Sequence, residues 1–594
     1  MSHDARHRYE WKTMPWRKIE VRVFKLQRRI YQATTRGETQ KARSLQKLLA
    51  ASWSAKSLAV RRVTQENKGK KTAGVDGVKS LTPPQRLKLI SAMDLHAPVK
   101  PVRRIWIPKP GKLEERPLGI PIMHDRAAQG LAKLALEPEW EARFEPNSFG
   151  FRPGRSCQDA VAQIFEIIKH TPRYVLDADI ARCFDRIDQK ALLEKINTSP
   201  HFARPIREWL KAGVVDNGIF MPTEAGTPQG GVVSPLLANI ALHGLEDVVK
   251  KAGGPEKQRK NGRIIRHTTF CVRYADDFVV FNNTWEGIQR CKEAIQAWLN
   301  DMGLELQDTK TRYAHTLEAK EECDGNVGFD FLNFTIRQFP VGKYKSKKLY
   351  KTIIQPSKNS IARHWKALAE IIDRMKATTL DDVIRMLNPK IAGWCAYFKT
   401  EVSSQAFQRL DNLLWHTIYR WAKRQHSRKS AAWVVQQYFT PDGKSKHGSV
   451  KGETQTLRWH RNTPVKRHVT LRKGVSPYDG NWSYWGTRRG KYIGLETTRG
   501  KLLKHQGGRC TQCRLFFTVE DKIEIHHTDG NHRNRKFTNL RLLHLICHDL
   551  THGAGPSSNM STSTASRTHD KSDITEEPCA SKDASTVLET SREG

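Results

Sequence analysis

The sequence lacks any long hydrophobic run. Its 594 residues contain no uninterrupted apolar stretch near the ~18 residues that a membrane-spanning helix requires. The first residues, MSHDARHRYEWK, also lack the apolar core of a secretory signal peptide. We therefore expect a protein that has no membrane partner and is not secreted.

Cysteine is scarce as well, and this excludes a disulfide framework. The ten cysteines are scattered along a chain that is too long for such a scaffold. Cys510, Cys513 and Cys547 belong to a separate pattern near the C-terminus. The other cysteines that stand singly in apolar surroundings are predicted to be reduced core residues: Cys157, Cys183, Cys271, Cys291, Cys323 and Cys395.

Acidic residues are outnumbered by basic ones along most of the chain. The 101 Lys and Arg against 61 Asp and Glu give a net charge of +40. Such a field attracts polyanions over long range, and nucleic acid is the polyanion that best fits a soluble basic protein. An anionic membrane surface is the rival, and the missing apolar run argues against it.

Composition divides the chain into six parts and gives no internal repeat. Residues 1–95 are basic and helical in pattern, 96–345 alternate strand-like and helical segments, and 346–440 carry apolar residues at helical spacing. Residues 441–502 are rich in Gly, Lys and aromatics, 503–555 hold a Cys/His module, and 556–594 form a Ser/Thr-rich tail. We predict that the tail is disordered.

Two adjacent acids lie inside the segment TFCVRYADDFVVF, Thr269–Phe281. Apolar, strand-like runs flank Asp276 and Asp277, so a β-hairpin with both carboxylates at its tip is predicted. Asp is a good turn former, and this alone accounts for a short acidic turn. Alternatively, the pair holds a divalent metal together with a third acid from elsewhere in the chain.

A candidate for the third acid lies upstream, in RYVLDADIARCFDRID. Asp177 and Asp179 share one face of the predicted strand because side chains alternate with period two. Burying two unpaired acids is costly, so this face is either the exposed face of an edge strand or part of a polar site. Both alternatives stand on these residues alone.

Together, DIARCFDRI and YADD resemble the two metal-binding palm motifs of reverse transcriptases. The resemblance implies that Asp179 and Asp276 are the catalytic carboxylates and that Asp277 supports them. Asp177 and Asp185 do not match a catalytic position. Nucleotidyl transfer needs two Mg²⁺ ions about 3.5–4 Å apart, which activate the primer 3′-hydroxyl and hold the triphosphate of the incoming dNTP.

The flanking motifs follow the family order around these acids. They are SFGFRPGRSCQDAV, GTPQGGVVSPLLANIAL, GLELQDTKT and FDFLNFTI. In the last of them Asn333 stands where the family usually has Gly. The resemblance implies that the aromatic ring of Phe184 packs against the incoming sugar, although by itself it reads as an ordinary core residue. The full implied set of substrate-binding residues is Lys109, Arg116, Phe184, Gln229, Gly230 and Lys310.

Three further segments resemble group II intron-encoded proteins. NKGKKTAGVDGV (67–78) resembles their N-terminal extension, and LNPKIAGWCAYF (387–398) resembles their maturase domain X, the thumb, whose basic helices hold intron RNA. Ala392 stands where family members often have Arg, so one RNA contact is expected to be missing. GVSPYDGNWSYWGTR (474–488) resembles the connection to an endonuclease. Its aromatic and basic residues, Trp482, Tyr484, Trp485, Arg488 and Arg489, either clamp nucleic acid or form a small aromatic core.

The Cys/His module combines a Cys-x₂-Cys pair with a distant His-x₂-Cys-His. Either half alone has a redox or chance explanation, whereas both at this spacing predict zinc. The module resembles an HNH nuclease with a ββα-metal fold. The resemblance implies a structural Zn²⁺ bound by three cysteines and one histidine, which stands where the family commonly has a fourth cysteine. The implied ligands are Cys510, Cys513, His544 and Cys547.

The same resemblance assigns the nuclease site. His527 is the general base that activates water, His526 and His548 hold one divalent ion, and Asn539 maintains the loop. A neutral imidazole can take a proton near pH 7. The alternative is a purely structural zinc finger with an inactive nuclease.

The resulting expectation is a multidomain α+β protein with a right-hand fingers and palm, an α-helical thumb and a C-terminal HNH zinc module. We expect it to bind group II intron RNA and promote splicing, to nick target DNA, and to copy the RNA from that nick. The alternatives are a splicing maturase or a nuclease without an active polymerase. A bacterial cytoplasmic, nucleoid-associated location or an organellar one fits this expectation, and the oligomeric state stays open.

Overall fold

The computed structural model describes residues 10–108, 114–227, 229–254, 257–260, 263–266, 268–440 and 448–552. Lys109 and the tail 556–594, for which we made predictions, lie outside the described residues. The chain forms two units. Unit 1 contains the described residues up to 485 together with 492–495, and unit 2 contains 486–491 and the described residues from 496 onward.

The N-terminal part of unit 1 is helical, as its pattern predicts. Ile19, Val23 and Ile30 lie on one face of the first helix and are almost fully buried, which is the spacing of an amphipathic helix. This face packs into the main core, which the first helix shares with the next region of the chain. The helices are α1 (Trp16–Thr35), α2 (Thr39–Ala51), α3 (Trp53–Arg61) and α4 (Pro83–Ser91).

The next region alternates strands and helices, so the mixed α/β content expected there is present. Its elements are, in chain order, β1 (Val102–Pro108), β2 (Glu115–Ile120), α5 (Met123–Arg143), α6 (Cys157–Ile168), β3 (Tyr174–Ala178), α7 (Cys183–Arg186), α8 (Gln189–Ile196), α9 (Pro200–Leu210), β4 (Val214–Asp216), β5 (Ile219–Met221), α10 (Ser234–Ala241), α11 (Leu245–Ala252), β6 (Lys257–Lys260), β7 (Arg263–Arg266), β8 (Phe270–Tyr274), β9 (Asp277–Asn282), α12 (Trp285–Asn300), β10 (Arg312–His315), β11 (Phe329–Phe331) and β12 (Phe334–Pro340).

Four strands of this region form the palm sheet, in the order β10-β3-β9-β8. All its pairs are antiparallel, and Ala178 of β3 lies opposite Phe278 of β9. One face, which includes Leu176, Phe278 and Val280, is buried in the main core against α12. Because β3 is a central strand, the alternative of an exposed edge strand for Asp177 and Asp179 is wrong.

A second sheet has the order β2-β1-β4-β5. β1 and β2 form an antiparallel pair that places Arg116 opposite Ile107, and β4 joins β1 in parallel. A third sheet, β11-β12-β13, continues the chain toward the thumb through β13 (Tyr350–Pro356).

The thumb consists of helices, as expected. They are α13 (Lys358–Arg374), α14 (Leu380–Phe398), α15 (Ser404–Gln425) and α16 (Ala431–Tyr438), followed by the short strands β14 (Phe439–Thr440) and β15 (Ser449–Val450). Ala392 is half-buried on α14.

A long segment after the thumb, residues 448–485 and 492–495, runs back over unit 1, and we call it the return segment. On the thumb, the Asp381 carboxylate accepts the backbone N–H of Gln455 (2.8 Å), and the Asp411 carboxylate accepts that of His460 (2.8 Å). On the palm, His468 Nε2 lies 2.8 Å from the Asp159 carboxylate. The segment therefore binds the thumb and the palm one after the other.

Farther along, the return segment reaches the N-terminal helices. The Tyr478 hydroxyl donates to the Glu137 carboxylate (2.8 Å), and Arg17 of α1 donates to the carbonyl of Leu495 (2.6 Å). Trp485 is only 1% exposed and donates its indole N–H to the carbonyl of Ser476 (2.9 Å). Two alternatives were open for the aromatic segment, a nucleic-acid clamp and a small aromatic core. The burial of Trp485 agrees with the second.

Unit 2 contains two paired strands and a helix after them, which is a ββα arrangement. Its elements are the end of α17 (Trp482–Arg489), α18 (Thr497–His505), β16 (Ile523–His527), β17 (Leu540–His544) and α19 (Leu545–Thr551). β16 and β17 are antiparallel, with Ile523 opposite His544. Among the helices of the described ranges, none is both long and apolar enough to cross a lipid bilayer.

Candidate functional sites

The acidic turn of the palm joins β8 and β9. Tyr274 pairs with Asp277, so Ala275 and Asp276 form a two-residue turn. Ala275 has a φ of 61°, which a residue with a Cβ adopts only when its surroundings enforce it. The buried Arg273 guanidinium donates to the carbonyl of Ala275 (3.1 Å) and to the side chain of Asn239 (3.0 Å). The turn that carries Asp276 is therefore held rigidly from inside the protein.

Asp179 follows directly after β3, at the same end of the palm sheet. Burial and the Asp179 carboxylate both raise the pKa of Asp276, whereas the charges of Arg116 and Lys310 oppose this. Burial, Asp276 and Asp179 raise the pKa of Asp277 to about 6. The three predicted acids thus share one electrostatic environment, in which a bound cation relieves their repulsion.

Oxygen donors with excess negative charge are what Mg²⁺ prefers, so the palm acids fit a magnesium site. Lys310 forms an ion pair with the Asp179 carboxylate. Its position is set by the backbone, because Gln307 donates its N–H to the carbonyl of Asp179 (2.8 Å) and Leu306 bridges to Ile180. The structure thus brings the predicted Lys310 to the acids.

The predicted glycine-rich loop connects the palm with the second sheet. The carbonyl of Gln229 accepts the N–H of Gly119 on β2 (2.5 Å). Gly230 has a φ of 113°, and a Cβ there would lie 2.4 Å from the Gly119 oxygen. Only glycine permits this approach, so Gly230 has a packing reason as well as the predicted one.

Phe184 lies on α7, beside the same loop. Its carbonyl accepts the N–H of Thr227 (2.6 Å), and its ring makes an edge contact with the half-exposed Phe151, at 6.2 Å between ring centroids. The ring is partly buried against the main core. These contacts agree with an ordinary core residue, and the contact of Phe184 with an incoming sugar stays a prediction.

Asp177 and Asp185 lie near the palm acids without matching their positions. Burial and the nearby Asp277 carboxylate raise the pKa of Asp177 to about 7, and Arg312, its register partner on β10, opposes this. Burial also raises the pKa of Asp185, against the charges of Arg104 and Arg182. Asp177 is therefore a half-buried carboxyl group beside the palm acids.

Asn333, the departure from the family glycine, lies in the turn between β11 and β12. Leu332 and Asn333 both have positive φ, 49° and 68°, as a tight two-residue hairpin turn requires. Asn tolerates this region better than other residues with a Cβ. Its side-chain oxygen accepts a hydrogen bond from Arg363 of the thumb, and its carbonyl accepts the N–H of Ser357 (2.9 Å). The substitution thus keeps the turn and adds a contact to the thumb.

In unit 2, the four predicted zinc ligands come together. The Sγ or imidazole nitrogen atoms of Cys510, Cys513, His544 and Cys547 all lie within 4.8 Å of one another. His544 Nδ1 faces the sulfurs of Cys513 (3.3 Å) and Cys547 (3.9 Å). Three thiols and an imidazole at this spacing fit tetrahedral Zn²⁺.

A second cluster contains the predicted His526 and His548 and adds a residue that sequence reasoning missed. His526, His548 and His552 present nitrogens within 4.8 Å of one another. In the part of the chain that the structure describes, the buried His526 Nδ1 has no hydrogen-bond partner, and such a nitrogen is free to ligate a metal. The i, i+4 spacing of His548 and His552, one helical turn, was the available signal.

His527 and Asn539 lie around the same strands. His527 adjoins His526 on β16, and burial and His532 lower the pKa of its imidazole, which favours the neutral base. The Asn539 side chain accepts from Thr528 Oγ1 (2.7 Å) and donates to the Asp529 carboxylate (2.8 Å). These contacts hold the loop after β16, in agreement with the role expected for Asn539.

Comparison with known families agrees with this geometry. Residues 107–336, which contain all the palm residues above, match the family model described as reverse transcriptase (RNA-dependent DNA polymerase). Residues 11–93 match the N-terminal domain of reverse transcriptase. Residues 361–439 match the maturase-specific domain of group II introns.

Curated relatives cover the same part of the chain. Protein YkfC of Escherichia coli (strain K12) is 31% identical over an alignment of 344 residues that covers 52% of this chain and 86% of that protein. The group II intron-encoded protein LtrA of Lactococcus lactis subsp. cremoris is 32% identical over 308 residues, 42% of this chain and 51% of LtrA. A 91 kDa protein in a cob intron of Schizosaccharomyces pombe is 28% identical over 267 residues, 37% of this chain and 33% of that protein. The match thus spans about half the length of LtrA.

Proposed function

This chain belongs to the group II intron reverse transcriptase/maturase family, and we propose that it combines three activities. Residues 107–336 are its reverse transcriptase domain and 361–439 its maturase domain. The proposed activities are copying of intron RNA into DNA, promotion of intron splicing, and nicking of target DNA by unit 2 to supply the primer for intron homing. The proposed location is the bacterial cytoplasm, at the nucleoid, or an organelle.

The polymerase proposal depends mainly on one observation, the shared field of three acids at the rigid end of the palm sheet. Asp179, Asp276 and Asp277 would hold two Mg²⁺ ions, which supply activation of the primer hydroxyl and charge neutralisation on the triphosphate. Arg116 and Lys310 add positive charge beside these acids and suit contacts with phosphate. Phe184, Gln229 and Gly230 would line the space in which the sugar and base of a dNTP lie.

The maturase proposal is supported by the matched domain and by the charge of the chain. Intron RNA is a polyanion, and the net charge of +40 provides the long-range attraction. Splicing needs RNA binding and no polymerase chemistry, so it should survive loss of the palm acids.

The nuclease proposal is supported by the two clusters of unit 2. Cys510, Cys513, His544 and Cys547 would hold a structural Zn²⁺. His526, His548 and His552 would hold one catalytic divalent ion, which stabilises the charge that develops on the scissile phosphate. His527 would remove the proton from the attacking water.

A crossed experiment tests these assignments. We expect Asp276→Ala to abolish primer extension on a poly(rA)/oligo(dT) template while nicking and splicing persist. We expect His527→Ala to abolish nicking while primer extension persists. Asp247→Ala is the matched control, because this carboxylate is exposed in the first turn of α11.

Each failure has a definite meaning. Equal inactivity of wild type and Asp276→Ala in primer extension would leave a splicing maturase or a nuclease without an active polymerase. Nicking that is unaffected by His527→Ala would contradict the nuclease assignment. Loss of both activities from one substitution would contradict separate sites.

A further inference from the structure

His544 of the zinc cluster has a partner on its outer side. Its Nδ1 faces the cysteine sulfurs, and its Nε2 lies 3.3 Å from the carboxylate of Asp521. The two nitrogens of an imidazole cannot both ligate one metal. Which nitrogen ligates is set by the hydrogen bond that the other one makes.

Asp521 is fixed in place by local structure. Its carboxylate accepts the backbone N–H of Thr518 (2.6 Å). The pairing of Ile523 with His544, extended by the bond from the N–H of Leu545 to the carbonyl of Lys522 (2.9 Å), brings the Asp521 backbone beside His544. The ring of Phe517 packs against the imidazole, at 4.6 Å between ring centroids. The carboxylate and the ring together restrict the orientation of His544.

A cysteine needs no such partner, because its thiolate has a single ligand atom. A histidine in its place has two candidate nitrogens and a ring that must be oriented. A carboxylate that accepts from Nε2–H leaves the lone pair on Nδ1, toward the sulfurs, and strengthens the imidazole as a ligand.

We propose that Asp521 is a positioning residue of the zinc cluster, which holds His544 in the tautomer that ligates through Nδ1. In this chain the Asp521–His544 pair takes the place of a fourth thiolate. The inference rests on the proposed zinc site and deepens it.

The first test compares Asp521→Asn with Glu520→Gln in the full-length protein. Glu520 is the exposed neighbour, so both variants lose one negative charge at nearly the same place. We expect Asp521→Asn to weaken zinc binding about 10- to 100-fold in competition with a chelator, the range found for lost outer partners of metal ligands. Glu520→Gln should leave the affinity unchanged.

Cobalt substitution provides a readout for this cluster alone. Thiolate-bound Co²⁺ gives a sulfur-to-metal charge-transfer absorption that the all-histidine cluster cannot give. We expect the ligand-field bands of Co²⁺ bound to Asp521→Asn to differ from those of Co²⁺ bound to wild type, because the imidazole loses its fixed orientation in the variant.

A double-mutant cycle with His544→Cys separates positioning from general stability. In the His544→Cys background the carboxylate has no imidazole to orient, so Asp521→Asn should change the affinity less than twofold. A penalty of equal size in both backgrounds overturns the inference, and so does wild-type affinity in Asp521→Asn alone. Wild type that binds no zinc overturns the zinc site itself, and the inference with it.

Discussion

The palm acids and the proposed zinc ligands of unit 2 are two sets of side chains built in opposite ways. The acids come from segments far apart in sequence, Asp179 after β3 and Asp276 between β8 and β9, and buried supports such as Arg273 fix their turn. The cluster is drawn from one short stretch, residues 510–547. Contacts between distant segments thus create the first set, whereas we expect a bound metal to stabilise the second.

The two ligand sets also differ in how strongly their folding is expected to depend on a bound metal. The palm carboxylates repel one another, but Lys310 and Arg116 compensate part of their charge, so we expect the palm to stay folded without Mg²⁺. In unit 2, four side chains are placed to ligate one metal, and binding of a structural metal contributes directly to the free energy of folding. Metal removal should therefore abolish polymerase activity without unfolding the palm, whereas it should unfold unit 2.

The largest expected effect is the loss of a zinc ligand. Cys510→Ser should unfold unit 2, because structural zinc contributes on the order of 10 kcal/mol to small zinc domains. Calorimetry should then show loss of the unfolding transition of unit 2 and an unchanged transition for unit 1. Thr511→Ser, at the adjacent position, is the control. A folded unit 2 in Cys510→Ser would remove the contrast between the two ligand sets.

The second effect concerns the histidine cluster of unit 2. His552→Ala should lower nicking by about 100-fold or more, as expected for loss of a group that stabilises charge at the reacting phosphate. Zinc content and the fold of unit 2 should be unchanged, since His552 is not in the cysteine cluster. His505→Ala is the control, because His505 contacts Phe537 at a different place. Nicking at the wild-type rate would show that two histidines suffice.

A smaller effect tests long-range assembly in unit 1. His364 of α13 donates or accepts a hydrogen bond with His460 of the return segment (2.9 Å), and His460 in turn binds Asp411 (2.7 Å). Burial and the His460 and Lys390 charges lower the pKa of His364 to about 3. The unfolded chain therefore binds a proton that the folded chain does not, and stability falls as pH drops below about 6.5.

Between pH 7 and pH 5 this group should cost unit 1 about 2 kcal/mol, since one pKa unit corresponds to about 1.4 kcal/mol. His364→Gln should remove that part of the pH dependence, although it lowers stability at pH 7. Chemical unfolding of unit 1 at both pH values provides the measurement. An unchanged slope against pH in His364→Gln would contradict the assignment.

The smallest effect concerns a turn whose shape is encoded locally inside unit 1. Asn333→Val should cost about 1–2 kcal/mol, because a β-branched residue is strained at positive φ. Asn333→Gly keeps the turn and loses only the Arg363 contact, so it serves as the matched control. Thermal unfolding of unit 1 compares them, and equal stability of both variants would mean that the turn does not need this conformation.

The palm and unit 2 also differ in how they could be predicted from the sequence. Local alternation and turn residues predicted the hairpin and the strand before Asp179, whereas the reverse transcriptase domain was inferred from the resemblance of the motifs. Spacing predicted a zinc site, the resemblance supplied its four ligands, and the structure brings those four side chains together. His552 was missed although a one-turn spacing marked it, because the prediction stopped at the ligands implied by the resemblance.

The return segment is where sequence reasoning had least to work with. Residues 441–502 were expected to form a basic, aromatic region that binds DNA. In the structure, Tyr478 and Trp485 are buried, and the contacts of this segment join residues hundreds of positions apart, such as His468 with Asp159. No local pattern encodes such pairings, so composition alone favoured a linker.

The return segment also decides where the protein can be shortened. Truncation at residue 440, the apparent end of the thumb, would leave the Asp381 and Asp411 carboxylates without the backbone N–H groups that they accept, and Asp159 would lose its contact with His468. Cutting after Leu495, whose carbonyl is bound by Arg17, keeps these attachments and removes unit 2 from residue 496 onward. A protein that ends after Leu495 should therefore be more stable than one that ends at residue 440.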